Sequence, residues 1–183
     1  MCSGDNGRRD LESAADGLRR LTDLLLRVTD DDGGPTAVAD ELDTIARMLD
    51  EQTDDETSGV RDPVSGKGNA IAPPIDMDID DSGNVSATGL LGLPYQGPKT
   101  LVHGGMSALL LSHVLGAAGT VAGEHAVVQE LSVRYHRPTP LFTPLEISAS
   151  LTDPAGDHAR GSIEVDGVTT VSAEARLALP PQQ

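Results

Sequence analysis

A chain of 183 residues with 38% hydrophobic content suits one domain of average size plus an extension, and three aromatics, Tyr95, Tyr135 and Phe142, leave the core to Val, Leu, Ile and Ala. A formal net charge of -16 excludes the basic footprint of a nucleic-acid binder, and an anionic ligand would need local cations to offset that field. The single cysteine, Cys2, excludes intrachain disulfides and thiolate metal sites. No apolar run reaches membrane-spanning length and Met1-Cys2-Ser3-Gly4-Asp5 lacks a secretory pattern, so a soluble cytoplasmic protein is expected.

Residues 1–7 read as disordered. From about Arg8, Leu11, Ala14, Ala15, Leu18, Leu21, Leu24, Leu25 and Val28 recur at spacings of three and four, which predicts a helix. Asp30-Asp31-Asp32-Gly33-Gly34-Pro35 ends it. A second helix follows, with Val38, Leu42, Ile45, Ala46, Met48 and Leu49 on one side. The pair predicts an N-terminal helical hairpin over 8–52. Each helix has one apolar stripe, which needs the main domain, a partner subunit or another protein to pack on. Residues 53–72 show no period and read as a linker or loop. Asp54-Asp55-Glu56, like Asp30-Asp31-Asp32, is a solvated acidic run.

The domain proper is expected over 73–180. Ile75, Met77 and Ile79 alternate with Asp76, Asp78 and Asp80, a strand with one wet face. Asp81-Ser82-Gly83-Asn84 makes a hairpin-type turn, and Val85, Ala87, Gly89 and Leu91 continue as a second strand. Tyr95-Gln96-Gly97-Pro98 is a loop leading to Val102-His103-Gly104-Gly105. The run that follows, Met106 to Gly116, is apolar on nearly every side, which predicts a buried helix from about Gly104 to Ala118.

A long strand is expected from His125 to His136. Simple alternation puts Val127, Gln129, Leu131, Val133 and Tyr135 on one face, and Val128, Glu130, Ser132, Arg134 and His136 on the other. Three more strands are expected over 145–152, 158–165 and 169–179, with Asp166-Gly167 as a tight hairpin. Two strands, a buried helix and four antiparallel strands describe an α+β domain with one helix cradled by a curved sheet.

The start of the buried helix carries the clearest chemistry. Gly104 and Gly105 leave their N–H groups uncrowded. The first turn has unpaired donors and a partial positive charge, which would stabilise a polarised carbonyl or an oxyanion. His103 stands at the entrance, either capping the helix or touching a ligand. Arg134, His136 and Arg137 form the main cationic cluster of an acidic chain, either a charged strand edge or a phosphate contact. The five histidines are not spaced as metal ligands, and phosphate-loop and dinucleotide fingerprints are missing, so no metal or cofactor is expected.

Val102-His103-Gly104-Gly105, the apolar helix and Leu131-Ser132-Val133-Arg134-Tyr135-His136-Arg137-Pro138-Thr139-Pro140-Leu141 together resemble the hotdog-fold thioesterases of the phenylacetic-acid-pathway (PaaI) type. Asn69-Ala70-Ile71-Ala72-Pro73-Pro74 and Tyr95-Gln96-Gly97-Pro98 are similar to an actinobacterial branch with an N-terminal helical extension. The resemblance covers about 62–180. It implies an α+β hotdog fold, self-association as a dimer or dimer of dimers with the ligand at the interface, and hydrolysis of acyl-coenzyme A thioesters.

By that resemblance, the Gly105 N–H polarises the thioester carbonyl, with His103 and Gly104 beside it. Arg134, His136 and Arg137 contact the coenzyme's phosphates. The family's acidic nucleophile or base stands nine positions beyond the motif's histidine. That position is Ser112 here, two helical turns beyond Gly105 and on its face. A serine hydroxyl needs a separate base. His113 points about 100° away around the helix and reads as structural. A polar strand position that assists in the family aligns with Val128. Glu130, two residues along, and Gln96, before the histidine, are the remaining candidates for positioning water. Three readings stay open: an acyl-CoA hydrolase using Ser112, Gln96 or Glu130; a non-catalytic acyl-CoA or lipid binder; and an interaction scaffold using the N-terminal helices.

Overall fold

The computed structural model describes residues 3–29, 34–51, 53, 62–120 and 125–178. The chain divides into two compact units. One holds residues 1–62 with Gly68–Ala70, and the other holds Pro63–Lys67 with Ile71–Gln183.

The first unit contains helices α1 (Ser3–Leu25) and α2 (Gly34–Asp50). Helix α1 begins at Ser3, so residues 3–7, read as disordered, are helical. Propagating a helix that Leu11 to Leu25 already nucleate costs far less than starting one. Arg19 pairs with Asp16 at 2.6 Å and Arg27 with Asp23 at 2.9 Å, along the helix surface. Ala15 is buried, whereas Leu18, Leu24, Leu25, Ile45, Met48 and Leu49 are exposed. The acidic runs Asp30-Asp31-Asp32 and Asp54-Asp55-Glu56 lie outside the described residues.

The second unit is built on a six-stranded antiparallel sheet: β1 (Ile75–Ile79), β2 (Val85–Leu90), β3 (Val127–Tyr135), β4 (Pro144–Leu151), β5 (His158–Val165) and β6 (Val168–Ala178). Their spatial order is β1-β2-β4-β5-β6-β3, which leaves β1 and β3 at the edges. Helix α3 (Gly104–Ala118) packs on β2, β3, β4, β5 and β6. This is an α+β hotdog fold. Its strands alternate because one face meets α3 and the other meets water. Asp166 and Gly167, both at positive φ, make the tight turn between β5 and β6. Within 53–72, Val64 belongs to the hydrophobic core, and Ala72 is fully buried. Both are small apolar side chains that the lack of a period could not place.

Leu110, Leu111, Val114 and Leu115 of α3 are wholly buried against Leu145, Ile147, Ile163 and Val171. Each such side chain contributes roughly 1.5–3 kcal/mol of burial. No helix among the described residues is long and apolar enough to cross a membrane.

One expectation about β3 is corrected. Val128 pairs with Leu177 and Glu130 with Arg176, so Gln129 is an extra residue and the strand bulges. The bulge flips the alternation. Val128, Leu131, Val133 and Tyr135 share the inner face, opposite buried Leu177, Ala175, Ala173 and Val171. Glu130, Ser132 and Arg134 share the outer face, opposite Arg176, Glu174 and Ser172.

Candidate active site

His103 is the N-cap of α3, with φ -63° and ψ 130°. Its backbone is held from both sides. The His103 N–H donates to the Tyr95 carbonyl at 2.9 Å, and its own carbonyl accepts from the Met106 and Ser107 N–H groups at 2.9 and 3.2 Å. Its side chain is exposed, and Nδ1 accepts from the Gly105 N–H at 3.0 Å. The N–H singled out as a carbonyl donor is therefore already engaged by the histidine beside it.

The loop before His103 is folded back on itself. The Gly97 N–H donates to the Leu101 carbonyl at 3.0 Å, and the Gln96 Oε1 accepts from the Thr100 N–H at 3.2 Å. Gln96 thus braces Thr100, which sits at φ 69°. A Cβ at Gly97 would fall 2.8 Å from the His103 Cα, so only glycine lets the loop approach this closely.

Tyr135 closes the other side. Its hydroxyl donates to the Gly104 carbonyl at 2.9 Å, and a Cβ at Gly104 would meet its ring at 3.3 Å. Between the helix start and the end of β3 lies a cleft of about 350 Å³, lined among others by Gly104, Ser107, Tyr135, His136 and Arg137. The structure thus brings Gly104, His136 and Arg137 together. Tyr135 and Ser107 were not singled out from sequence. The only tyrosine of the long strand, flanked by Arg134 and His136, was the available signal for the first.

The remaining candidates lie elsewhere. Ser112 is half-buried on the α3 stripe that carries exposed Gly105 and Leu109. Leu110, Leu111, Val114 and Leu115 occupy the sheet side, so this stripe points away from the sheet. His113 bonds to the Ser65 hydroxyl at 3.0 Å and meets the His125 ring edge-on. Glu130 sits on the outer sheet face, where Arg176 pairs with it at 2.7 Å and also bonds Gln129. That guanidinium, by hydrogen bond and charge, holds the Glu130 carboxyl below its usual value and weakens it as a base. Glu130 in turn raises the Arg176 guanidinium. Arg134 also faces outward, and His136 Nε2 lies 2.8 Å from the Ser172 hydroxyl.

On the β4–β5 turn, Asp153, Asp157 and His158 bring three potential ligand atoms within 4.8 Å of one another. Asp153 Oδ1 caps that turn, accepting from the Gly156 and His158 N–H groups at 3.1 and 3.3 Å. Hydrogen bonding, first from Asp157, lowers the Asp153 carboxyl.

A family model described as "Thioesterase superfamily" matches residues 100–166. The crystal structure of RHA08564, a thioesterase superfamily protein, is similar with 39% identity and a TM-score of 0.84, covering 92% of this chain and 94% of that one. A mutant of the phenylacetic acid degradation protein PaaI from Thermus thermophilus shares the fold at 16% identity and TM-score 0.53, covering 58% of this chain and 93% of its own. So does smu.793 from Streptococcus mutans UA159 bound to acetyl CoA, at 17% identity and TM-score 0.52, with coverages of 59% and 91%. Among curated proteins no sequence matches.

Proposed function

The chain belongs to the thioesterase superfamily, and from that premise we propose that it binds acyl-CoA thioesters at the N-terminal end of α3 and hydrolyses them. The observation that carries this reading is the helix start itself. Gly104, at the positive end of a buried helix, lines a cleft whose wall also holds His136 and Arg137. The acetyl CoA bound to the Streptococcus mutans protein supports the ligand class. A cytoplasmic setting, expected from the sequence, suits such a ligand.

In this mechanism the Gly105 N–H donates to the thioester carbonyl, and His103 and Gly104 shape the approach. His136 and Arg137, with Arg134 beyond them, hold the coenzyme phosphates. Water adds to the carbonyl carbon and the carbon–sulfur bond breaks. The thiolate takes up a proton, giving a carboxylic acid and free coenzyme A. Ser112, on the stripe of Gly105, orients the water. Gln96 and Glu130 are the other candidates, but Gln96 braces Thr100 and Glu130 is paired with Arg176 on the outer face.

We further propose a homodimer joined along β3, or a dimer of such dimers. Strand β3 is an edge, and Val127, Leu131 and Tyr135 along it are exposed, an arrangement that invites a second strand. Two copies joined there would bring the cleft of one beside β3 of the other.

The test is free-thiol release from a panel of acyl-CoAs by wild type, Ser112→Ala and Ser112→Asp. Turnover by wild type that falls more than tenfold in Ser112→Ala supports the reading. A silent wild type that gains turnover as Ser112→Asp, and that binds acyl-CoA, establishes the second reading, a non-catalytic binder. That reading is favoured by the absent carboxylate at Ser112 and by apolar Val128. The scaffold reading rests on the exposed apolar side chains of α1 and α2. We place the helical segment within 1–52 and the hotdog domain at 73–180, with Val64 and Ala72 from the intervening 53–72 stretch buried in the second unit, and deletion of 1–52 tests that division. Thioester binding that survives it keeps the helices outside the site.

A further inference from the structure

The cleft between the start of α3 and the end of β3 holds a polar group that the fold itself does not use. Among the described residues, its lining carries the hydroxyls of Ser107, Tyr135 and Thr139. That of Tyr135 donates to the Gly104 carbonyl and that of Thr139 to the Thr170 hydroxyl, each at 2.9 Å. The Ser107 hydroxyl bonds to nothing among the described residues, although the residue is only 2% exposed. No fully enclosed side-chain oxygen or nitrogen of those residues lacks a partner, so this hydroxyl keeps an opening, and the cleft supplies it. A nearly buried hydroxyl without a protein partner points to a partner from outside the chain.

The rest of the lining defines that partner. Leu101, Val102 and Val171 supply apolar wall, and His136 and Arg137 supply cations. Gly104 adds the positive end of α3. No described carboxylate lines the cleft, in a chain with 29 acidic residues, and none pairs with Arg137. A volume of about 350 Å³ is at the small end for ligand pockets, and suits a fragment of a coenzyme better than the whole. The lining therefore fits an anion, a short branched apolar segment and a hydrogen-bonding oxygen in one compact group. The pantoyl end of 4′-phosphopantetheine is such a group. Its phosphate ester is followed by a dimethyl-substituted carbon, and then by a hydroxyl and an amide carbonyl.

We propose that this cleft is the subsite for the pantoyl end of a 4′-phosphopantetheine arm, with Arg137 and His136 on the phosphate and the Ser107 hydroxyl bonded to a pantoyl oxygen. This rests on the acyl-CoA reading and deepens it: recognition lies in the phosphopantetheine, and the adenosine is dispensable. Coenzyme A and the prosthetic arm of an acyl-carrier protein share that group.

The experiment uses the full chain and one acyl group on five thiols. These are coenzyme A, 4′-phosphopantetheine, pantetheine, N-acetylcysteamine (which lacks the pantoyl unit) and a phosphopantetheinylated acyl-carrier protein. The first two thioesters should give nearly equal kcat/KM. Loss of the phosphate should lower kcat/KM about three- to tenfold at low salt in wild type, and much less in Arg137→Gln. Loss of the pantoyl unit should lower it about three- to tenfold again, and Ser107→Ala should erase most of that step. The melting temperature of Ser107→Ala should not fall, since no protein hydrogen bond is lost. A lower KM for the carrier-protein thioester than for acyl-phosphopantetheine assigns the arm to a carrier protein, and the reverse assigns it to coenzyme A.

A Ser107→Ala chain that lowers every thioester alike overturns the proposal. So does one that changes preference among acyl groups and leaves the pantoyl step intact, and so does a wild type that needs the adenosine. Free 4′-phosphopantetheine gives a reading independent of hydrolysis. It should shift the Leu101, Ser107 and Val171 amide signals in wild type, and shift them less in Ser107→Ala. Absence of those shifts overturns the subsite even if acyl-CoA is hydrolysed. Shifts without turnover of any thioester support the subsite and sink the hydrolase reading.

Discussion

Helices α1 and α3 dispose of their apolar side chains differently. In α3 they surround the helix, and Leu110, Leu111, Val114 and Leu115 are wholly buried beneath the sheet. In α1 they form one stripe, and Leu18, Leu24 and Leu25 remain 40–50% exposed. An apolar face is a demand for a partner. The sheet meets that demand for α3 within the chain, so α3 can serve as the rigid post on which a site is mounted.

The largest expected effect tests this contrast directly. Leu111→Ala should cost about 2–5 kcal/mol in urea denaturation, because the sheet cannot collapse into the cavity. Leu18→Ala should cost about 0.5 kcal/mol or less, as for other surface positions. A large and concentration-dependent loss in Leu18→Ala would break the comparison and show that α1 is buried by a second copy.

Next comes the loop that abuts the helix start. Gly97→Ala places a methyl 2.8 Å from the His103 Cα, where it meets fixed backbone. A loss of about 1–3 kcal/mol is expected. Acyl-CoA binding should weaken with it, since the displaced residue is the N-cap itself. Unchanged binding and melting would mean that the loop yields freely and does not set the geometry of the turn.

Tyr135→Phe keeps the ring and removes the bond to the Gly104 carbonyl. It should cost about 0.5–1.5 kcal/mol, with a rise in KM larger than the fall in melting temperature suggests. An equal effect from Tyr135→Phe and Tyr135→Ala would assign the role to the hydroxyl. A much larger effect of the alanine variant would assign it to the ring as a wall of the cleft.

The smallest effect belongs to Glu130, on the solvent face. Its carboxyl lies below the usual value in the folded chain because of Arg176. Its contribution is thus complete above the ordinary carboxylate range and is lost as pH falls through the depressed folded value. Glu130→Gln should lower stability slightly near neutral pH, leave it unchanged in acid where the carboxyl is already protonated, and so flatten this part of the acid limb of the stability profile. Abolished thioester hydrolysis in Glu130→Gln would place the base on the strand after all.

These positions were unequally legible from sequence. The burial of α3 could be read because a helix apolar on nearly every side has nowhere else to go. The hairpins could be read from period-two alternation and from Asp166-Gly167. The place of Ser112 could be read because helical spacing alone puts it on the stripe of Gly105. Glu130 was harder. Strict alternation groups it with Val128, and one extra residue at Gln129 sends it to the opposite face. A bulge depends on what the neighbouring strand β6 pairs with, and no window of β3 contains that information.

Composition and local spacing determined that one helix is buried, that its glycine start is the polar opening in an apolar run, and that Ser112 lies two turns beyond Gly105 on the same stripe. These follow from side-chain chemistry acting over a few residues. Tertiary structure decided that His103 takes the Gly105 N–H for itself, that Tyr135 reaches Gly104 from 31 residues away, and that β3 is an edge. Each of these depends on register and strand order, which are set by packing across the whole sheet and not by the local run of residues.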